Sequence, residues 1–330
     1  MSFKVAVTGV STLLGENLLE ILETREFPVT KLLLTDPGPV VGRSLMFAGH
    51  ANRVISVSDA SFDEIDLIFN CHPEGLPAHI TPETLTGKLK VIDLCPAENL
   101  DCPCVVPEVN ASDIASSSYL ISPAPASVIA SVALSALHKR YKILRVNMVS
   151  MSSVAEVGHK GVEALASETA KLLNGRDPEA SFFGKQIAFN VIPFTGKLDD
   201  KAYSDNERFM THQLHQLLGD EDIEIVSTAV QLPIFHGQNV VLHAECQYSI
   251  DQNEAQLLLD QTKGVRSIAG QDYTVVTDAA GQDEVFISRF RTELGNDSGF
   301  MLCAVSDSLR KGGALNAVQI AEHLFGLLDH

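Results

Sequence analysis

The sequence predicts an α/β fold that begins with a parallel sheet, and its N-terminus is the first observation behind this prediction. Phe3–Gly9 is an apolar run typical of a buried strand, and a glycine turn follows it as far as Gly15. The next residues, Glu16–Glu23, have apolar side chains at helical spacing. A strand, a glycine turn and a helix in this order are typical of the start of a dinucleotide-binding fold.

Alternating strand and helix patterns after this start are the second observation. Buried strands are predicted at Thr30–Thr35, Asp66–Cys71, Leu89–Leu94 and Tyr119–Ser122. A helix is predicted around Thr81 to Thr86, between two of these strands. Short apolar runs that alternate with helices indicate a parallel sheet.

Four residues of this first region are candidates for binding a dinucleotide: Gly9, Thr12, Gly15 and Asp36. The two glycines hold the ends of the turn, while Thr12 places a β-branched side chain in its middle, where backbone approaches a pyrophosphate. Asp36 ends the second strand, where an acid accepts the ribose hydroxyls of NAD and repels the 2′-phosphate of NADP, so NAD is favoured. The alternatives are a turn whose glycines serve helix packing alone, and an aspartate that only begins a turn before Pro37.

The composition is that of a globular chain with an acidic surface. Its 330 residues suffice for two domains of ordinary size, and 45% of them are hydrophobic. Lysine and arginine number 24 against 42 aspartate and glutamate residues, which gives a net charge of −18. Because like charges repel, this excess disfavours nucleic acid and anionic membranes as partners.

The apolar runs and the cysteines favour a cytoplasmic location. No apolar run reaches the ~18 residues that a membrane helix needs, and the N-terminus enters a strand directly rather than a signal peptide. We expect all of the cysteines to be reduced thiols, because none of them forms a CxxC pair or a metal-ligand spacing. They are Cys71, Cys95, Cys102, Cys104, Cys246 and Cys303.

The segment Ser122–Ser127 stands where a strand should turn into a helix. The strand candidate Tyr119–Ser122 precedes it, and Val128–Leu137 follows with the apolar spacing of a buried helix. A turn of this kind suits a nucleophile, because backbone N–H groups and the positive end of the helix stabilise an anion. The segment reads Ser-Pro-Ala-Pro-Ala-Ser and contains no thiol.

Several segments resemble motifs of the aspartate-semialdehyde dehydrogenase family, and Val305–Glu322 carries the closest match. It begins Val-Ser-Asp-Ser-Leu-Arg-Lys-Gly-Gly-Ala-Leu-Asn-Ala-Val-Gln, against the family's Val-Ser-Asp-Asn-Leu-Arg-Lys-Gly-Ala-Ala-x-Asn-Ala-x-Gln. The resemblance extends from Val5 to Leu324. Further segments similar to family motifs are Val105–Asn110, Gly161–Leu165, Ile187–Pro193, Val230–Gln238 and Ser288–Arg291.

The resemblance implies two domains and a homodimer. We expect a Rossmann-like dinucleotide-binding domain from residues 1–126 and 310–330, and an α+β domain with a large, mostly antiparallel sheet from residues 127–309. In the family, the sheet of the second domain pairs across a two-fold axis. Apolar alternation at Ile187–Pro193 and Ile223–Phe235 offers a face for that pairing.

The residues that carry the family's chemistry are replaced at the matching positions. The family turn reads Asn-Pro-Asn-Cys-Ser/Thr-Thr, so Pro125 stands where a cysteine forms the acyl-enzyme, and we expect Ser127 to cap the following helix. Gln238 takes the place of the catalytic histidine, and Gln231 that of the arginine that holds the substrate carboxylate. Ser152 takes the place of a substrate-binding glutamine. Proline cannot attack an aldehyde, and glutamine cannot relay a proton near neutral pH.

Some family residues that face phosphate or nicotinamide are replaced in this chain, and others are kept. Asn99 replaces an arginine that contacts an anion, and Asn206 and Phe209 replace a Glu-x-x-Lys pair. Asn316 and Gln319 match the family asparagine and glutamine that lie near the nicotinamide, which makes both candidates for cofactor binding. The alternative for their helix is packing on the first domain.

These replacements lead to three hypotheses. The first is a protein closest to the Usg-type paralogues of the family, which keeps the scaffold, lacks dehydrogenase activity and has a binding or interaction role. The second is an active NAD(P)-dependent aspartate-semialdehyde dehydrogenase, or a related aldehyde or acyl-phosphate oxidoreductase of amino-acid biosynthesis, that uses His236 with Cys71 or Cys95. The third is an NAD-dependent enzyme of different chemistry, suggested by Asp36. A lone histidine beside a strand is more often structural than catalytic.

Overall fold

A computed structural model describes residues 2–38, 40–85, 87–96, 102–178, 182–270 and 272–327. The chain divides into two compact units, which we call unit 1 (Met1–Pro123 with Gly313–His330) and unit 2 (Ala124–Gly312). The sequence placed the two domain boundaries after residues 126 and 309. In the structure the units divide after residues 123 and 312, three residues away in each case.

The strands and helices follow one another along the whole chain. The strands are β1 Phe3–Thr8, β2 Val29–Asp36, β3 Ser44–Phe47, β4 His50–Ser56, β5 Leu67–Asn70, β6 Lys90–Asp93, β7 Tyr119–Ile121, β8 Ile143–Ser152, β9 Glu224–Gln231, β10 Gln238–Cys246, β11 Val265–Ser267, β12 Val285–Glu293 and β13 Asn296–Ser306. The α-helices are α1 Leu13–Thr24, α2 Pro107–Asn110, α3 Pro125–Tyr141, α4 His159–Leu173, α5 Asp205–Leu218, α6 Gln252–Gln261, α7 Val276–Ala279 and α8 Leu315–Leu324. Short 3₁₀ segments lie at Val57–Asp59, Ala111–Ser116 and Val154–Val157, and a π-helical turn lies at Arg310–Ala314.

Unit 1 is built on a seven-stranded sheet with the order β3-β4-β2-β1-β5-β6-β7. Its neighbours pair in parallel except β3 and β4, which form an antiparallel pair. The apolar residues of β1 and α1 share one core with the buried face of α8. Helix α8 therefore packs in unit 1, as expected for residues 310–330.

The helix predicted around Thr81 to Thr86 is wrong for residues 81–85, which form one turn. The Thr84 N–H donates to the Thr81 carbonyl at 3.1 Å, and the Thr84 hydroxyl donates to the His79 carbonyl at 2.6 Å. These short-range bonds satisfy the backbone without a helix. Gly87 then takes a φ of +89°, which ends the turn, and Thr86 lies outside the described residues.

Unit 2 is built on a six-stranded sheet with the order β11-β12-β13-β10-β8-β9. The pairs β12–β13, β13–β10 and β10–β8 are antiparallel, so the expected α+β domain with a mostly antiparallel sheet is confirmed. Helix α3 packs across β8, β10, β12 and β13 on one face of the sheet. Side chains that point to the other face, such as Asn147, Val226 and His243, are exposed.

The segment Ile187–Pro193 is not a strand, although its apolar residues alternate. Its backbone is held by Glu168 of α4, whose carboxylate accepts the N–H groups of Ile187 at 2.8 Å and Ala188 at 3.0 Å. Phe189 follows with a φ of +58° and is 68% exposed. The apolar pattern therefore belongs to a loop in which Ile187 and Ala188 are buried and Phe189 and Val191 are exposed.

The described residues contain neither a membrane-spanning helix nor a metal-ligand cluster. None of the helices in the described part of the chain combines the length and hydrophobicity needed to span a bilayer. Within the same residues, no group of three or more histidine, cysteine, aspartate or glutamate side chains is arranged to hold a metal ion.

Candidate functional site

In unit 1, the turn between β1 and α1 is closed by its own residues. Gly9 has a φ of +74°, and a Cβ built on Gly15 would lie 2.4 Å from the Gly9 carbonyl oxygen, so both positions require glycine. Thr12 caps α1, because its hydroxyl accepts the Gly15 N–H at 2.9 Å and donates to the Gly9 carbonyl at 2.8 Å. Thr12 therefore occupies the helix N-terminus with its own side chain.

Asp36 supports the same turn from the end of β2. One carboxylate oxygen accepts the Ser11 N–H at 2.9 Å, and the other accepts the Gly38 N–H at 2.7 Å. The residue is 1% exposed. It therefore orders the loop through both of its oxygens, and the strand, turn and helix around it have the arrangement that suits a pyrophosphate.

Asn316 and Gln319 of α8 tie the last helix to the rest of unit 1. The Asn316 amide donates to the Val105 carbonyl at 3.0 Å and to the Ser122 hydroxyl at 2.9 Å, and the residue is fully buried. The Gln319 amide donates to Glu108 at 3.1 Å. These bonds agree with the packing alternative that the sequence left open for this helix.

Cys71 and Cys95 lie where β5 and β6 end. Burial raises the pKa of the Cys71 thiol well above its ordinary value. Burial, together with the charge of Asp93, raises the pKa of Cys95 to about 12. A thiol is nucleophilic as the thiolate, so both groups are unreactive near neutral pH.

In unit 2, Pro125 is the first residue of α3 and Ala124 is its N-cap. The Ala124 N–H donates to Gln213 of α5 at 3.1 Å. Pro125 packs on Gly312, since a Cβ built on that glycine would lie 2.7 Å from the proline Cβ. The capping role expected of Ser127 is wrong, because this residue lies inside the helix and its buried hydroxyl has no hydrogen-bond partner among the described residues.

Three of the replaced positions come together at one end of the unit 2 sheet. Ser152 pairs with Gln231 on β9 and with Gln238 on β10, and Gln238 pairs with Ser306 on β13. The four residues, which we call the polar row, cross four neighbouring strands and are at most 6% exposed. The family resemblance implies that the first three belong to one site, since they take the places of substrate-binding and catalytic residues.

The amide groups of the polar row bond to neighbouring strands. The Gln231 Nε2 donates to the Ser152 carbonyl at 2.8 Å. The Gln238 Nε2 donates to the hydroxyls of Ser150 at 2.7 Å and Ser152 at 3.2 Å. The Gln238 Oε1 is buried and has no partner within the described parts of the chain.

Glu156 and Ser308 extend this site. Ser308 is the residue that replaces the family's asparagine in the motif at Val305–Glu322, whereas Glu156 was not found from the sequence. Glu156 lies in the 3₁₀ segment after β8, and its carboxyl group faces the hydroxyls of Ser152 and Ser308 and the N–H of Ser153. Burial raises the pKa of Glu156 to about 8, and these three groups partly oppose the effect. The only sequence signal was the position of Glu156 four residues after the end of β8, which also describes many ordinary surface glutamates.

The remaining predicted residues have other surroundings. His236 is exposed on the turn between β9 and β10. Asn206 is exposed and donates to the Thr195 hydroxyl at 3.0 Å, and Phe209 is partly buried. Asn99 lies outside the described residues.

Comparison with known proteins places this geometry in a family. The family model described as "Semialdehyde dehydrogenase, NAD binding domain" matches residues 4–117 of this chain. The family model described as "Semialdehyde dehydrogenase, dimerisation domain" matches residues 134–311. Aspartate-semialdehyde dehydrogenase 2 of Vibrio cholerae is 35% identical over 98% of this chain and 97% of its own. The USG-1 protein homolog of Pseudomonas aeruginosa is also 35% identical, over 97% of each chain.

Solved structures agree with these sequence matches. The crystal structure of Vibrio cholerae aspartate semialdehyde dehydrogenase II complexed with ASA superposes with a TM-score of 0.94 at 34% identity, over 99% of both chains. With both domain descriptions matched and relatives aligned over nearly its whole length, this chain belongs to the aspartate-semialdehyde dehydrogenase family, in which the USG-1 homologs are among its near relatives.

Proposed function

We propose that this protein is a member of the family without dehydrogenase activity, and that it serves as a homodimeric binding or interaction protein. The observation that carries the proposal is the start of α3, where Pro125 packs on Gly312 and offers no group that attacks a carbonyl. A proline also lacks the N–H that could stabilise an oxyanion at this point.

The polar row supports the same conclusion. Gln238 holds its amide hydrogens on two serine hydroxyls, and Gln231 holds one on a backbone carbonyl. A carboxamide does not exchange a proton near neutral pH, so neither group replaces a general base or a charged substrate anchor.

The thiols that could serve an active enzyme are poorly placed for catalysis. Cys71 is buried, and the pKa of both Cys71 and Cys95 is raised by burial. This counts against the hypothesis of an active oxidoreductase that uses one of them. All of the cysteines are free, which fits a reducing compartment and supports our proposal of a cytoplasmic protein.

The open face of the unit 2 sheet supports the homodimer. Val149, Val241 and Cys303 lie opposite one another on β8, β10 and β13, and they point away from the helices. Met151 follows in the next such row. These side chains remain partly exposed in the single chain, so they form an apolar patch that a second copy can cover.

For the cofactor, we propose NAD rather than NADP. The turn after β1 has the conformation that dinucleotides use, while the carboxylate of Asp36 stands where a 2′-phosphate would meet negative charge. A thermal-shift titration should therefore give a larger stabilisation with NAD than with NADP. Equal shifts with both dinucleotides would contradict this assignment.

The decisive experiment is a turnover assay. Purified protein with aspartate semialdehyde, phosphate and either NAD or NADP should give no rate above a protein-free blank, and the Vibrio cholerae enzyme assayed in parallel serves as the positive control. Removing members of a catalytic unit commonly costs several orders of magnitude in rate.

The variant Pro125→Cys tests whether the thiol alone is missing. We expect it to remain inactive, because Gln231 and Gln238 still occupy the places of the cation and the base. Wild-type turnover at an ordinary enzyme rate, about 1–10³ per second, would overturn the proposal. Cys71, Cys95 and His236 would then be the first residues to substitute.

A further inference from the structure

The segment that follows β5 packs on the glycine turn that follows β1. A Cβ built on Gly9 would lie 2.5 Å from the His72 Cβ and 3.0 Å from the Cys71 carbonyl carbon. The Thr12 hydroxyl lies 3.2 Å from the Cys71 carbonyl oxygen. His72 therefore lies against the turn whose conformation suits a pyrophosphate.

The order of the strands puts this contact where a ligand is expected. From β1 the chain continues to β2, β3 and β4 on one side of the sheet, and then to β5, β6 and β7 on the other side of β1. In open α/β sheets, ligands bind outside the carboxyl ends of the strands at such a reversal. Gly9 directly follows β1 and Cys71 directly follows β5, which are the two strands beside the reversal.

Hydrogen bonds hold the ring of His72 and determine its tautomer. The Nδ1 accepts the Glu74 N–H at 3.0 Å, so the neutral ring carries its proton on Nε2. The Gly75 N–H donates to the His72 carbonyl at 2.8 Å and closes a tight turn, in which a Cβ on Gly75 would lie 2.3 Å from the Asn70 Oδ1. The residue is half-buried, and its Nε2–H has no partner among the described residues.

The glycine turn itself uses some of its N–H donors internally. The Thr12 hydroxyl accepts the Gly15 N–H at 2.9 Å, and the Asp36 carboxylate accepts the Ser11 N–H at 2.9 Å. A pyrophosphate carries negative charge and is stabilised by N–H groups that point at it. A donor from outside the turn therefore adds to its binding, and the His72 ring carries one.

We propose that His72 binds the pyrophosphate of the dinucleotide, with its Nε2–H donating to a phosphate oxygen. This inference rests on the cofactor assignment in the proposed function and adds a binding residue to it. The alternative is that the imidazole only fills space against Gly9. The two roles differ in whether the N–H donor or the shape of the ring matters.

The test is a calorimetric titration of the full-length protein with NAD. His72→Phe keeps an aromatic ring against Gly9 and removes the donor, so NAD should bind at least about tenfold more weakly, as expected for the loss of a hydrogen bond to a charged group. His72→Gln keeps an N–H donor and should bind NAD within about threefold of the wild type. His79→Phe is the matched control, because His79 is exposed in the same connection between β5 and β6.

Nitrogen-15 NMR of the wild type gives a second readout that needs no folded variant of His72. The Nε2–H signal of His72 should shift when NAD is added and when inorganic pyrophosphate is added. Adenosine has no phosphate, and it should leave this signal in place. The two probes that carry a pyrophosphate thus report on the contact itself.

The outcomes separate this assignment from the cofactor assignment. NAD binding that His72→Phe leaves unchanged, or a Nε2–H signal that neither NAD nor pyrophosphate shifts, would overturn the role of His72 alone. Equal losses of affinity in His72→Phe and His72→Gln would show a packing role and would also overturn it. A wild type that binds neither NAD nor NADP would overturn the cofactor assignment together with this inference.

Discussion

Glu156 differs from the other buried carboxylates of unit 2 in what surrounds it. Glu168 accepts the N–H groups of two successive residues, and Glu207 accepts those of Ser204 and Ala229. Glu156 has one N–H and two hydroxyls near it in place of two N–H groups, and among the described residues one oxygen of Glu156 and one of Glu168 have no partner. Burial therefore favours its protonated form more than the surroundings favour its charge.

This environment predicts a pH dependence of stability. The pKa of Glu156 is about 8 in the folded chain, against 4.5 as its ordinary value. Between these values the folded state holds a proton that the unfolded state has lost, so the free energy of unfolding should fall as the pH rises from about 4.5 to about 8. Each unit of pKa difference corresponds to roughly 1.4 kcal/mol.

Urea denaturation at several values of pH between 5 and 9 measures this effect. Relative to Glu156→Gln, the wild type should lose stability steadily up to pH 8 and then level off. Glu163→Gln should follow the wild type, since Glu163 is exposed on α4. Parallel curves for the wild type and Glu156→Gln would show that the carboxyl does not bind its proton more tightly in the folded state.

At the scale of residues, the sequence predicted which positions share a site better than it predicted what each residue does. Ser152, Gln231 and Gln238 were placed together by motif, and strand register puts them side by side. Ser127 was expected to cap α3, but the backbone before that helix is bound instead by Gln213, which is 89 residues away in sequence. Contacts of such long range leave no local pattern to detect.

At the scale of elements, continuous apolar runs predicted the strands of unit 1, even the short ones, whereas a short alternating pattern did not form a strand. The N-terminal strand and helix, expected at Phe3–Gly9 and Glu16–Glu23, formed at Phe3–Thr8 and Leu13–Thr24. Ile187–Pro193 alternates as a strand would, yet Glu168 fixes it as a loop. A few alternating apolar residues do not distinguish a strand from a loop in which some of the apolar residues are buried.

The open face of the unit 2 sheet gives an element-scale prediction. Val241 lies at the centre of the apolar patch, between Val149 on β8 and Cys303 on β13. The substitution Val241→Asp should convert the proposed homodimer to a monomer, because a carboxylate buried in an apolar interface has no partner charge. Sedimentation equilibrium should then report about 35.6 kDa instead of twice that mass.

Glu245→Asp is a suitable control for this substitution. Glu245 is exposed near the end of the same strand, and the change keeps its charge. The control should remain dimeric at the same micromolar concentration. A wild-type chain that sediments as a monomer, or a Val241→Asp chain that remains a dimer, would place the interface elsewhere.

At the scale of the whole molecule, unit 1 is assembled from both ends of the chain. Its core combines Val5 and Val7 of β1 and Leu18 and Leu22 of α1 with the apolar face of α8. Unit 2 is one continuous segment, Ala124–Gly312. The two units therefore respond differently to loss of the C-terminus.

Removing residues 313–330 should unfold unit 1 while unit 2 keeps its structure. The deletion takes away Leu315, Val318 and Ile320, which are fully buried, and the loss of several large core side chains exceeds the usual stability of a domain. Hydrogen exchange should show loss of protection in β1 and α1 and retained protection in β8 and β10. Retained protection in β1 would mean that unit 1 has a core without its last helix.

The divided sequence of unit 1 also determines the order of folding on the ribosome. The usual order is N-terminal first, but here the first 123 residues emerge long before the helix that completes their core, while the whole of unit 2 is synthesised in between. At about 5–20 residues per second, that interval is roughly 10–40 s. During this time the nascent sheet of unit 1 presents uncovered apolar side chains to chaperones and to neighbouring chains, so the segment made first is the last to become stable.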